Sequence, residues 1–292
     1  MPTKLSIIIL SYNTRERLKK CLESLRRMKS GEGKVEIIVV DNGSSDGTEE
    51  RFWAGKQNLK IKLIKNRENL GFAKGNNIGI KQATGKYILL LNSDTLVNEN
   101  TISKMLAFME KNPKAGVATC RVELADGGLD PACHRGFPTP WASLTYFLGL
   151  EKLFPKSRIF GRYHLGFLPM DKPHEIDSPS GAFYLSRKEV IDKVGLLDED
   201  YFLYGEDLDW SYRIKQAGFK IIYNPEVKIT HFKKQSGRSG EDPKLRKETT
   251  GYFYETMKIF YQKHYFDRYP RFITAFVMLA VEIKKQLSLI KL

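Results

Sequence analysis

Four short apolar runs rich in β-branched or large aliphatic residues recur in the first third of the chain: Leu5–Leu10, Val35–Val40, Ile61–Ile64 and Tyr87–Leu91. Each is too short for a stable helix and largely apolar, the pattern of a strand buried inside a parallel sheet. Between them, Arg15–Met28 carries Leu18, Cys21, Leu22 and Leu25 at helical spacing, Thr48–Phe52 reads as a helix start, and Gly71–Ala83 reads as a further helix. Strands alternating with helices predict an α/β fold, a Rossmann-like, mostly parallel sheet covered on both faces. In such sheets ligands bind beyond the carboxyl ends of the strands. The residues to inspect are therefore Ser11, Tyr12 and Asn13 after the first run, Asp41 to Ser44 after the second, and Asn92, Ser93 and Asp94 after the fourth.

The rest of the chain is less regular. Residues 134–176 mix aromatics, Pro and Gly with Arg and Lys, and read as a long, partly helical surface excursion. Strand character returns at Ser180–Leu185, and short helices are expected at Lys188–Val194 and Leu208–Ala217. Two separate late strands are expected at Phe219–Tyr223 and Val227–His231, and from about Lys244 the chain reads as helical and basic.

Several chemical groupings stand out. A carboxylate such as Asp94 at a strand end can reach a hard divalent cation, although Asp-Thr also caps helices. Glu206, Asp207 and Asp209 place three acids in four positions before a helix, where the helix dipole, a metal or a basic substrate group would offset their repulsion. Spacing sets Glu206 and Asp209 about one turn apart with Asp207 pointing elsewhere, and one of these acids can act as a base. His231 closes a β-branched run, and behind it Lys233 and Arg238 lie in a Gly- and Ser-rich loop suited to phosphate oxygens.

The order and spacing of these pieces resemble the family-2 glycosyltransferases of the GT-A fold. The carrying segments are Leu5–Asn13, Asp41–Thr48, Asn69-Leu70-Gly71-Phe72-Ala73, Gly75-Asn76-Asn77, Leu91–Thr95, Ser180-Gly181-Ala182, Gly205–Asp209 and Pro225–His231. Within that family the chain looks most similar to bacterial rhamnosyltransferase-type enzymes of cell-surface polysaccharide assembly. The resemblance implies that Ser11, Tyr12 and Asn13 line a nucleotide pocket and that Asp41 binds the pyrimidine. It implies that Asn69, Gly71, Phe72 and Asn76 shape the pocket near ribose and diphosphate, beside Asn92 and Ser93, and that Gly181 and Ala182 let backbone approach the donor sugar. Asp94 would be a metal ligand, His231 the second, and Mn²⁺ or Mg²⁺ the ion. Asn92 stands where the family's Asp-x-Asp motif has its first carboxylate. Asp207 would be the catalytic base, with Glu206, Asp209, Trp210, Lys233 and Arg238 contacting substrate.

The implied organisation is a GT-A catalytic domain over residues 1–240, with a nucleotide-binding half (about 1–120) and an acceptor half (about 121–240), followed by a basic amphipathic helical extension over 241–292. The implied reaction is inverting transfer of a sugar from a nucleotide diphosphate to a lipid-linked or polysaccharide hydroxyl. L-rhamnose from dTDP-L-rhamnose is the favoured donor, and a UDP-sugar the alternative.

Charge bears on partners. Lys and Arg number 48 against 34 Asp and Glu, a net charge of +14. That balance suits nucleic acid, anionic lipid or a phosphorylated substrate. No helix-turn-helix, zinc-finger or RNA-recognition signature appears, which argues against nucleic acid. No Gly-x-Gly-x-x-Gly follows the first strand, which argues against a dinucleotide oxidoreductase. From Lys233 onward there are 13 Lys and Arg against 6 Asp and Glu. There Phe272, Ile273, Phe276, Leu279, Ala280, Ile283, Leu287 and Ile290 recur at helical spacing with Lys284, Lys285 and Lys291 beside them. This predicts an interfacial helix on an anionic membrane, or one that packs on the catalytic domain or a second subunit of a homo-oligomer. The segment Phe137–Leu150 is expected either in an acceptor groove or in the core. No apolar stretch approaches the roughly 20 residues needed to span a bilayer. The amino terminus lacks a signal-peptide pattern and Cys21, Cys120 and Cys133 form no close pair, so a cytoplasmic protein, peripheral on the inner face of the membrane, is expected.

Overall fold

The computed structural model describes residues 2–28, 33–48, 61–233 and 243–292. The described residues form one nine-stranded sheet in the order β3-β2-β1-β4-β8-β6-β9-β5, with β7 pairing beside β9. The strands are β1 (Thr3–Ser11), β2 (Lys34–Asp41), β3 (Ile61–Lys65), β4 (Tyr87–Leu91), β5 (Thr95–Val97), β6 (Ala115–Leu124), β7 (His174–Ile176), β8 (Phe183–Arg187) and β9 (Lys220–His231). The helices used below are α1 (Arg15–Arg26), α2 (Phe72–Lys81), α3 (Thr101–Lys111), α4 (Pro140–Phe147), the single turn α5 (Leu150–Leu153), α6 (Lys188–Val194), α7 (Glu206–Gln216), α8 (Pro243–His264) and α9 (Arg271–Ile290). The helix expected from Thr48 falls mostly outside the described residues.

The four apolar runs become β1 to β4, and all their mutual pairings are parallel. Ile7, Ile8, Ile9, Ile38 and Val40 are fully buried because helices cover both faces. Gly75 and Gly79 explain how α2 lies so close to β1: a Cβ at either would come within 2.5 Å of the Leu10 or Ile8 side chain. Beyond β4 the sheet turns mixed. β8 runs antiparallel to both β4 and β6, whereas β9 is parallel to β6 and antiparallel to β5.

Two late strands were expected, and one continuous strand is found. The register of β9 against β6 jumps from Asn224↔Cys120 to Lys228↔Arg121. Pro225 sits at the jump, and having no N–H it cannot continue the ladder. The strand therefore bulges without ending. The acidic cluster also differs from expectation, because Glu206, Asp207 and Asp209 form the first turn of α7 and do not precede it.

The carboxyl-terminal helices α8 and α9 form a hairpin. α8 packs Phe260 and Tyr261 into a second apolar cluster with Tyr201, Leu208 and Tyr212 of the catalytic part, joined by Phe137, Val277 and Met278. Tyr254 of α8 bonds Ser288 of α9 at 2.7 Å, and Lys258 and Glu282 link the two at 2.5 Å. Among the described residues no helix is long and apolar enough to cross a membrane.

Candidate active site

Because β1, β2 and β4 are parallel, their carboxyl ends share one edge. Ser11 pairs with Asp41 across that edge, and β4 delivers Asn92, Ser93 and Asp94 to it. His231, far away in sequence, arrives through register: β5 pairs Thr95 with His231, which sets the imidazole beside Asp94. Nε2 of His231 lies 3.2 Å from Asp94 Oδ1 and 3.4 Å from Asn92 Nδ2, and Nδ1 lies 3.0 Å from Asp130 Oδ2. Burial alone would lower the His231 pKa, but the flanking Asp130 and Asp94 carboxylates more than reverse this and raise it to about 9. Burial opposes the charge on Asp94, yet His231 and then Arg17 hold its pKa below the usual carboxylate value. Asp130 is shifted down in the same way, by His231 and Lys233.

A cleft of about 370 Å³ opens at this edge, lined by Asn13, Thr14, Arg15, Glu16, Arg17, Asp46 and Asp94. Its floor is a polar network. Asn13, held at a positive φ of 53°, accepts from Ser45 N at 2.8 Å, while its own N–H donates to Ser44 Oγ. Thr14 bridges Ser11 and Ser93. Arg17 lies 3.6 Å from Asp94 and donates to the Phe232 carbonyl.

The neighbouring wall is also built from expected residues. Asp41 is buried and accepts from Ser44 N at 3.2 Å, and Tyr12 is exposed. Asn69 takes a bond from Asn42 and caps Gly71 N at 3.0 Å. Asn76 donates back to Phe72 O at 2.9 Å. The Phe72 ring lies over Gly181, where a Cβ would come within 2.8 Å of it, and Ala182 is buried next to Asn92.

Asp207 does not line that cleft. It lies at the start of α7, where Arg135 Nη2 meets its Oδ2 at 2.7 Å and its Oδ1 accepts from Leu208 N. The approach is strained: Tyr204 and Gly205 adopt successive positive φ values of 71° and 81°. Glu206 is buried, its Oε2 meets no hydrogen-bond partner, and burial together with the Asp207 charge pushes its pKa up to about 8. The two ends of the site are joined through one short segment, since Asp130 holds His231 and Arg135 holds Asp207, with a 3₁₀ turn at Pro131–Cys133 between.

Two expected substrate contacts are corrected. Trp210 is fully buried, stacks on Tyr184 at 5.0 Å and donates to the Gly195 carbonyl. Asp209 has both oxygens occupied, by Arg213 at 2.8 Å and His264 at 2.7 Å, and so ties α7 to α8. Neither has an edge left for a ligand. Lys233 is engaged with Asp130 at 3.0 Å, and Arg238 lies outside the described residues. Sequence reasoning passed over Thr14, Arg17, Asp130 and Arg135. The signal for Arg17 was its place in the first turn of the helix that follows β1, while Asp130 and Arg135 sit in irregular chain and carried none.

Asp94 and His231 suit a divalent cation. Octahedral ligands at about 2.1 Å lie about 3.0 Å apart, close to the separation seen, and Asp130 on Nδ1 is the usual device for presenting Nε2 to a metal. Among the described residues no group of three protein ligands occurs, so water and substrate oxygens would complete the shell.

Comparison with known proteins agrees with this architecture. A family model described as "Glycosyl transferase family 2" matches residues 6–168. The chain is 26% identical over 255 residues to an N-acetylglucosaminyl-diphospho-decaprenol L-rhamnosyltransferase of Mycobacterium tuberculosis, covering 83% of this chain and 80% of the relative. It is 26% identical over 232 residues to a poly-beta-1,6-N-acetyl-D-glucosamine synthase of Staphylococcus epidermidis, covering 76% of this chain and 48% of the relative, so it spans about half the length of that synthase. Solved structures with the same fold include S. aureus TarS 1–349, with a TM-score of 0.57 at 18% identity, covering 88% of this chain and 64% of that one. GalNAc-T7 with UDP, GalNAc and Mn²⁺ gives a TM-score of 0.59 at 17% identity, covering 89% and 50%.

Proposed function

The chain belongs to glycosyl transferase family 2, and from that premise we propose that it is a nucleotide-sugar glycosyltransferase that makes an inverting transfer to a hydroxyl with Asp207 as the base. The observation that carries this reading is Asp207 itself, a buried carboxylate fixed by Arg135 at a helix start and tied through residues 130–135 to the Asp94–His231 pair. The acceptor oxygen attacks the anomeric carbon while Asp207 takes its proton. The bond from that carbon to the diphosphate oxygen breaks, and the nucleoside diphosphate leaves with the electron pair. One displacement inverts configuration and needs one base.

Asp94 and His231 would hold Mn²⁺ or Mg²⁺, which when bound offsets charge developing on the diphosphate. Arg17 adds a fixed cation at the same edge. Ser11, Asn13 and Asp41 on one side, and the Phe72–Gly181 contact on the other, would bound the donor. Residues 1–240 would serve as the catalytic domain and 241–292 as an extension that carries the enzyme to the membrane.

For the donor we favour dTDP-L-rhamnose, supported by the relative of which this chain covers 80%. The alternative, a UDP-sugar, is favoured by a structural neighbour solved with UDP. The acceptor is read as a lipid-linked or polysaccharide hydroxyl. A thermal-shift panel of nucleotide-sugars with Mn²⁺ separates the donors: stabilisation by dTDP-L-rhamnose above every UDP-sugar supports the first, and the reverse order overturns it. Asp207→Asn, with nucleotide binding retained, tests the base, and unchanged turnover in that variant removes it.

A further inference from the structure

Two regions far apart in sequence expose large apolar side chains and lie side by side. On α9, Phe272, Phe276, Leu279, Ile283, Leu287 and Ile290 recur every three or four residues along a helix about 30 Å long, and all are exposed, Ile290 at 80%. The opposite face of α9 is the one occupied by α8. The second region is the knob that surrounds α4 and α5, where Trp141, Leu148, Leu153, Phe154 and Ile159 are exposed, Leu153 at 70%.

The knob is internally built, with Trp141 Nε1 donating to Ile159 O at 2.9 Å, Thr145 Oγ1 to Phe160 O at 3.1 Å, and the buried Glu151 accepting from His164 N at 2.7 Å. It is also docked on the hairpin. Phe137, just before α4, packs against the same apolar cluster as Val277 and Met278, and Phe147, the last residue of α4, lies 5.4 Å beneath Lys284 Nζ. The carboxyl end of α4 therefore meets α9 at Lys284, which brings the two exposed patches to neighbouring parts of the surface.

We propose that the knob and α9 together form one docking platform for an anionic lipid bilayer, with the knob as a second insertion element beside the helix. Charge selects this occupant. Between Phe137 and Leu168 the only acid is Glu151, which is buried, while Lys152, Lys156, Arg158 and Arg162 are exposed. On α9 the one acid, Glu282, is neutralised by Lys258, leaving Arg271, Lys284 and Lys291 at the rim. Apolar side chains ringed by cations match an acyl layer beneath anionic headgroups. A second copy on the same stripe would bring these cations against their own kind on a chain of net charge +14.

The platform leads directly to the proposed base. Tyr163 of the knob accepts Gly136 N at 2.7 Å and lies against Arg135, which holds Asp207. A hydroxyl carried just above the bilayer would meet Asp207 without leaving the surface. This inference deepens the reading of a lipid-linked acceptor and rests on it, but its test needs neither donor nor acceptor.

The test is co-sedimentation of the full chain with vesicles of phosphatidylcholine containing about a third phosphatidylglycerol, against pure phosphatidylcholine. Binding is expected only to the anionic vesicles, falling about tenfold in Leu153→Glu/Phe154→Glu and again in Phe276→Glu/Ile283→Glu. Trp141 emission, isolated by subtracting Trp141→Phe, should shift to the blue on binding. Wild-type binding by the knob variant with an unmoved Trp141 emission overturns the platform. So does a wild type that ignores anionic vesicles and sediments as a dimer that Phe276→Glu/Ile283→Glu dissociates. Full transfer to a short soluble acceptor by both variants is expected. A wild type that binds anionic vesicles but shows no transfer would count against the proposed lipid-linked acceptor and leave the platform standing.

Discussion

The two ends of the site resolve crowded carboxylates in different ways. At the proposed diphosphate end, Asp94 and Asp130 are matched by His231, Arg17 and Lys233, and both carboxylate pKa values shift down. At the proposed base end, Glu206 and Asp207 share one guanidinium, Arg135, which faces Asp207. Glu206 is left with an unpartnered oxygen and a raised pKa. Surplus negative charge is thus met by cations at one end and by a retained proton at the other. On the proposed reading, the first arrangement would suit a highly charged leaving group, and the second would hold the surplus charge beside the proposed base as a proton on Glu206.

The largest effect should come from removing the base. Asp207→Asn is expected to lower kcat by about 10²–10⁴-fold while nucleotide-induced thermal stabilisation persists. Equal turnover would erase the distinction between the two ends. Next is the cation that Asp207 depends on. Arg135→Gln leaves a buried carboxylate without its partner and should destabilise the fold by about 3–5 kcal/mol in denaturant unfolding. Arg135→Lys keeps the charge but loses the second contact to Pro179 O, and should fall between.

At the opposite end the effect should be on ligand affinity. Asp130→Asn removes the carboxylate behind His231 Nδ1 and should weaken Mn²⁺ binding by about 10–100-fold in a titration of the enzyme–nucleotide complex. Unchanged affinity would mean that Asp130 supports only the local fold.

These ends were unequally legible in the sequence. Asp94 was readable because an apolar run with one outcome, a buried strand, ends three residues before it, and His231 because it closes another such run. Their partners were not. Asp130 lies 101 residues from His231 in a Gly-rich stretch without periodicity, and only the register of β9 against β6 brings them together. Arg135 opens the excursion whose aromatics dominated its reading. The α7 errors have a helical cause: positions two apart differ by about 200° around a helix, so when Asp207 faces Arg135, Asp209 must face the α8 hairpin. Trp210, one residue further on, faces the sheet. The β-rich half was legible because its burial is set by local pattern, whereas the site's support comes from contacts that no local pattern encodes.

The most direct check is on the retained proton. The folded-state pKa of Glu206, about 8, lies above its ordinary value of 4.5 because burial and Asp207 disfavour its charge. Between those values the folded chain keeps a proton that the unfolded chain releases. Folding stability contributed by this group must therefore fall as pH rises through that window and level off above it. Glu206→Gln holds the neutral form at every pH. Its melting temperature should match wild type near about pH 5 and exceed it increasingly toward about pH 9, with the gap opening across the window set by the two pKa values. Parallel melting curves for the two proteins would mean that Glu206 ionises as an ordinary carboxylate. The base end would then be balanced by cations like the diphosphate end, and the contrast between them would disappear.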